Sequence, residues 1–405
     1  LKTRRRIADA DNSALLITAA QGFGYVSIGA LPNYEQVMEG RKPPLPLNQL
    51  QREMIRGELT KMPKSLAVMR QIKDRPYGSF PLNIGPDYIS TLIPHVQTAR
   101  EVMNSLQHDA LLRANEESVA ASLESCHALL NTSRSLADEP FLISHLVRVA
   151  GQSLFEHALE YALSQGEATP KSLETLQAAV ALEIRESDWV FALRGERAGS
   201  IIFLENLGQS PIKFRQFKQM MGIRNGATPL RLQDLLLDYF PATVKTQLPE
   251  HLRYLNRLVE AAKLPLHEQP EALAKIEADL PQQPVVTQAL TPALKKISNA
   301  NRRSQSLLRS ALVALACERY RMQHAAWPDT LDQLVEAKLL DAIPADPYDG
   351  KPLRLARTKT GITLYAIGPD NADDGGVIDR DRPDAPGTDV GFRLWDVPRR
   401  KGGTP

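Results

Sequence analysis

The helical period between Thr91 and Leu207 constrains this chain more than any other feature. Val119, Leu123, Cys126 and Leu130 recur at i, i+4, i+7 and i+11, which puts them on one helix face that needs a buried partner. Leu173, Leu176, Val180 and Ile184 do likewise, and Thr169 before Pro170 is a start signal. There the hydroxyl caps the first turn, where a proline's missing N–H costs nothing. The pattern predicts an antiparallel array of helices, stabilised by apolar burial at about 25 cal/mol per Å² rather than by propensity.

Proline divides the rest. Pro32, Pro43, Pro44 and Pro46 forbid a continuous helix over residues 32–50, and the stretch 75–94 is of the same kind, so both are expected to cross the surface in extended form. Between them Leu50, Met54, Leu59, Leu66, Met69 and Ile72 follow a helical pattern, broken at Pro63. Pro265, Pro270, Pro281, Pro284 and Pro292 mark a linker over 264–292. The expected organisation is a helical body over 1–292, an α+β domain over 293–397 and a flexible tail over 398–405.

Composition removes several function classes. Lysine plus arginine number 49 against 47 acidic residues, a net +2 that gives no field for nucleic acid, and 6% aromatic residues leave little surface for base or sugar stacking. The apolar share of 43% and charged share of 24% are those of a soluble globular chain of two or three domains. Asn12 to Tyr34 carries no Asp, Glu, Lys or Arg, and the run Ala14 to Leu31 within it is long enough to examine as a membrane span. Gln21, Ser27 and the glycines Gly22, Gly24 and Gly29 instead favour a buried helix and a turn. The chain starts at Leu1 behind basic Lys2, Arg4, Arg5 and Arg6, which is compatible with a preceding membrane anchor or cleaved signal. Cys126 and Cys317 fit no metal knuckle or redox pair and are expected as two buried thiols, with a disulfide as the alternative.

No standard catalytic signature is present. Gly22 to Gly29 lacks the strand and spacing of a nucleotide loop, and Gly151-Gln-Ser153-Leu-Phe155 misses the last glycine of a nucleophile elbow. His145, Glu156, His157 and Glu160 share one helical stretch and have the chemistry of an acid–base or metal site, but His157 and Glu160 have ordinary surface-pair spacing. Glu183, Glu186, Arg194, Glu196 and Arg197 read as an ion-paired surface that burial would make more interesting.

The last hundred residues carry the most specific pattern. Leu308, Ala311, Leu312 and Leu315 define a helix face through Tyr320, and Trp327-Pro328-Asp329-Thr330-Leu331 with Leu334 turns into a short second helix. Asp346-Pro347-Tyr348-Asp349-Gly350-Lys-Pro352 follows, with a tight turn at Asp349-Gly350 before a strand at Leu353 to Leu355. Ile362 to Ile367 is predicted to return antiparallel. Asp370, Asp373, Asp374 and Asp379 crowd a glycine-bearing loop before Asp389, Val390 and Trp395.

In this order the segment resembles the globular head of a type II secretion major pseudopilin. The resemblance implies calcium in the acidic loop, held by the Ile367 carbonyl, Asp370, Asp373, Asp374 and Asp379, in a structural role. Lys295, Lys296, Arg302 and Arg303 depart from the apolar stem that a pseudopilin carries into this helix. Asp11-Asn12-Ser-Ala-Leu-Leu and Leu193-Arg194-Gly195-Glu196-Arg197 are similar to segments of uncharacterised planctomycete-type envelope proteins with a helical body and a pseudopilin-like tail.

The expected fold is mainly α with a C-terminal α+β domain: a multi-helix antiparallel array, then a long helix and a small antiparallel sheet. The expected function is a non-enzymatic, extracytoplasmic scaffold that binds protein partners and uses no organic cofactor. The alternatives are a component of a type II secretion or type IV pilus-like system, and an enzyme drawing on His145, His157, Glu183, Glu186 and Glu196.

Overall fold

Proline and capping side chains set where the N-terminal helices begin. The computed structural model describes residues 6–25, 27–40, 42–86, 88, 90–186, 189–206, 241–291 and 294–403. Helix α1 (Ser13–Gly22) is capped by Asn12, whose Oδ1 accepts from the Ala14 N–H at 3.1 Å and the Ser79 N–H at 3.0 Å. One asparagine therefore caps a helix and pins the extended crossing around residues 77–79 beside it. This ten-residue helix ends where the glycines begin, and no helix among the described residues is long and apolar enough to cross a membrane.

After the short α2 (Tyr34–Met38), the pattern expected to break at Pro63 does so, as α3 (Gln49–Leu59) and α4 (Pro63–Gln71). Helices α5 (Pro94–Glu116), α6 (Val119–Arg134), α7 (Leu142–Ser164) and α8 (Pro170–Glu186) form the packed array. The Thr169 hydroxyl accepts from the Ser172 N–H at 3.2 Å, the cap read from Thr169-Pro170. Val119, Leu123, Cys126 and Leu130 are all buried, as their spacing demands. Helices α9 (Val190–Asn206) and α10 (Pro241–Ala262) pack on each other at one end of the array and build a second, smaller core.

The proline-rich stretch 264–292 is structured and not a bare linker. It holds α11 (Gln269–Ala278) and α12 (Val285–Leu290), because Pro270 lies in the first turn of α11 and Pro284 caps α12, where no N–H is missed. Helix α13 (Leu294–His324) then runs through the molecule against α7 and α8, followed by α14 (Asp332–Glu336). Strands β1 (Arg354–Thr358), β2 (Gly361–Ala366) and β3 (Val390–Trp395) form an antiparallel meander with β2 central. Register pairs Arg354 with Tyr365 and Thr363 with Arg393. Asp346 explains the Asp-Pro-Tyr-Asp-Gly motif: buried, it accepts from the N–H groups of Tyr348 and Ile367 at 2.7 and 2.9 Å and from Arg354 at 2.8 Å.

The boundary expected near residue 293 does not separate two hydrophobic cores. One cluster runs from Ala14 and Ile17 through α5–α8 to Leu308, Leu364 and Phe392, because α13 gives one face to the helices and another to β2 and β3. The tail expected to be flexible over 398–405 is tied down at Arg400, with residues 401–403 exposed and 404–405 outside the described residues. Arg400 is buried and donates to the carbonyls of Trp395 at 3.0 Å and Gly166 at 2.7 Å and to the Glu318 carboxylate. Cys126 and Cys317 are both free and buried, and burial pushes the Cys126 thiol up to about 12, so neither is a reactive thiolate. Ending the chain at residue 292 would strip α7 and α8 of α13. The remainder is expected to lose its sharp thermal transition by far-UV circular dichroism; a remainder that still melts cooperatively would show that the body holds its core alone.

Candidate binding cavity

Two glycines one turn apart decide how α9 sits. A Cβ on Gly195 would lie 1.9 Å from the Pro140 carbonyl oxygen, and one on Gly199 would lie 2.0 Å from the Tyr88 ring, so both positions require the bare backbone. Tyr88 has φ 62°, donates its hydroxyl to the Pro140 carbonyl at 2.9 Å and packs its ring 5.3 Å from that of Phe141. Between the glycines, Glu196 accepts from the Leu142 N–H at 2.9 Å, an orphan donor in the first turn of α7. The segment Leu193 to Arg197 is therefore the seat of α9 on the start of α7, and not a solvated ion-paired surface.

Beside this seat lies a cavity of about 400 Å³. Ile93, Phe141, Leu146, Phe203, Leu255 and Leu258 supply much of its wall, from the segment before α5 and from α7, α9 and α10. Ile143, 49% exposed, brings it to the surface. Polar groups are few: Thr91, Ser200, the Tyr88 hydroxyl and the Glu196 carboxyl, with no Lys, Arg or His among the described lining residues. Burial raises the Glu196 pKa, opposed by the Leu142 N–H, and the side chain is half-buried. Nothing in the spacing of α9 signals the cavity. The glycine pair flanking a lone Glu was its one trace in the sequence.

Residues singled out for acid–base chemistry fall into two groups, Glu156, His157 and Glu160 near Arg380, and His145 and Glu183 near Arg148. His145 is buried against Arg148 and Asn301, and burial followed by the Arg148 charge lowers its pKa to about 3, so it is neutral. Glu183 is buried between Arg134, whose Nε donates to it at 2.7 Å, and Arg148 at 2.8 Å. Burial alone would raise its pKa, but the two guanidiniums outweigh that and hold it below the usual range. Glu156 and Glu160 are clamped by Arg380, and Glu160 also receives Arg393 at 2.7 Å. Desolvation pushes Glu156 up to about 7, whereas the two arginines keep Glu160 low despite its burial. His157 is partly exposed beside Glu156, Arg194 is exposed, and Arg197 donates to Asn256 at 2.5 Å. The Glu186 side chain lies outside the described residues.

Three carboxylates of the acidic loop, those of Asp370, Asp373 and Asp379, are taken up by nearby donors. Asp370 accepts from the N–H groups of Ala372 at 3.1 Å and Gly387 at 2.8 Å, and Asp379 from those of Asp381 and Arg382 at 2.9 and 3.0 Å. Asp373 takes the Tyr365 hydroxyl at 3.0 Å and pairs with Arg354 at 3.0 Å, while the Asp374 N–H donates weakly to Asp389 at 3.4 Å. Ile367 is buried beside Asp346. Among the described residues no three His, Cys, Asp or Glu side chains gather as a group that could hold a metal ion, and one oxygen of the Asp374 carboxylate is buried without a partner.

No family model matches the chain, and no curated protein or solved structure matches it.

Two measurements check this assignment. A carboxyl whose pKa is raised on folding contributes stability that is whole below its ordinary range and lost as pH rises through the folded value, about 7 for Glu156. Glu156→Gln should therefore gain stability relative to the parent in urea unfolding as the pH rises from about 5 to about 8. A flat difference would show that Glu156 does not titrate there. For the acidic loop, melting with calcium and with chelator should coincide. A calcium-induced rise that Asp373→Ala with Asp374→Ala removes would show that the loop reorganises around the ion.

Proposed function

We propose that this protein is a non-enzymatic binding protein of the cell envelope whose helical body takes an apolar ligand between α7, α9 and α10. The carrying observation is the cavity of about 400 Å³, apolar over most of its wall and bounded by a glycine-seated helix. A volume of this order is that of small-molecule sites, which combine apolar walls with a few placed polar groups. The acid–base residues of the body point the same way, since Glu183, Glu156 and Glu160 are each held by arginine and His145 is buried. Catalysis by proton transfer needs a group free to reach a substrate. The resemblance of the C-terminal unit to a secretion pseudopilin head favours the envelope setting and protein partners there. A stem-driven filament role is disfavoured, because Leu294 and Ile297 at the start of α13 are buried.

The test is saturable binding of the uncharged, polarity-sensitive dye Nile red. Fluorescence should rise to saturation with the parent protein, and Leu146→Trp, which fills the cavity, should weaken binding about tenfold or more while the protein still melts cooperatively. Equal binding by both proteins would place the dye elsewhere and overturn the reading.

A further inference from the structure

Glu196 is the one carboxyl in the cavity wall, and it stands without a basic partner among the described residues. Its known contact is the Leu142 N–H at 2.9 Å, which engages one of its two oxygens. Several buried carboxylates of the body differ in this respect: Glu183 has Arg134 and Arg148, Glu160 has Arg380 and Arg393, and Glu318 has Arg321 and Arg400, whereas Glu101, which accepts from Gln97 at 2.8 Å, shares the lack of a basic partner among the described residues. Buried charges are as a rule paired, because an unpaired one loses hydration without return. The residues that could pair Glu196 from its own helix are turned elsewhere, Arg197 to Asn256 and Arg194 to the surface.

An anionic ligand would meet this carboxyl with no lining cation to offset it, so fatty-acid-like and phosphate-bearing molecules are disfavoured. An alkyl ammonium group is favoured: its hydrocarbon suits Ile93, Phe141, Leu146, Leu255 and Leu258, and its N–H donors suit the second carboxyl oxygen. Resting on the reading of this cavity as a ligand site, we propose that its ligand is an apolar amine, bound as the ammonium ion, with Glu196 as the group that selects it.

Competition against bound Nile red with ten-carbon probes of one length separates the possibilities. Decylamine, a cation at neutral pH, should displace the dye about tenfold more strongly than decanol, with decanoate weakest. In Glu196→Gln the amine-to-alcohol ratio should fall to about one. Equal competition by amine and alcohol in the parent, or a preference that survives in Glu196→Gln, overturns the inference and leaves the cavity reading standing. Absence of saturable dye binding sinks both. Should Glu196→Gln fail to fold, the comparison of amine, alcohol and acid in the parent decides alone.

Discussion

The arrangement of the four central helices depends on one buried carboxylate. Glu183 of α8 receives Arg134 of α6, and Arg148 and Gln152 of α7, and Gln152 in turn accepts from Ser304 of α13. Arg134 also donates to the carbonyls of Ala179 at 2.7 Å and Pro76 at 3.1 Å, which fixes the extended crossing to the same point. Apolar packing alone permits neighbouring helices to slide by a turn at modest cost. A buried ion network does not, since a misplaced register leaves charge unpaired at a cost of about 3–5 kcal/mol. The network therefore ties α6, α7, α8 and α13 to one point.

The C-terminal unit is joined to the body by the same device. Arg380, from the acidic loop, reaches Glu156 and Glu160 on α7, and Arg393 on β3 reaches Glu160, while Arg400 closes the end of the chain onto Glu318 of α13. These contacts lie at the edge of a continuous apolar core, so the sheet is a wall of the body and not an appended module. Helix α13 accordingly carries two loads. Its apolar residues Leu308, Ala311 and Leu315 are buried in the shared core, and its polar residues Ser304 and Glu318 bond to the neighbouring layers.

Much of this was legible where a residue type has one physical use. Pro63 and Pro170 start helices because a proline there forfeits nothing, and the stripe Val119 to Leu130 is buried because a helix of that period has an apolar face to hide. What was not legible depends on distant pairing. Prolines 265 to 292 read equally as a linker or as helix starts, and the difference lies in packing against α10 and α13. The charges of Glu156, Glu160 and Glu183 read as a candidate site or a surface, and only the arrival of Arg380, Arg393, Arg134 and Arg148 from elsewhere makes them interior ties. Likewise the letters of the acidic loop show its carboxylates but not the backbone donors and Arg354 that reach Asp370, Asp379 and Asp373.

The contrast between these carboxylates and Glu196 bears on function. A group bound by two guanidiniums has its charge settled by the fold and little left for a ligand. Glu196, set in an apolar wall with one amide for company, keeps a cost of desolvation that the fold does not offset. Gly195 and Gly199 hold it there by letting α9 approach Pro140 and Tyr88, and Tyr88 accepts an unfavourable φ in the same contact. Backbone strain and an unpaired acid on the wall of one cavity are local departures from what stability alone favours, and a ligand that supplies the missing charge would relieve the second of them.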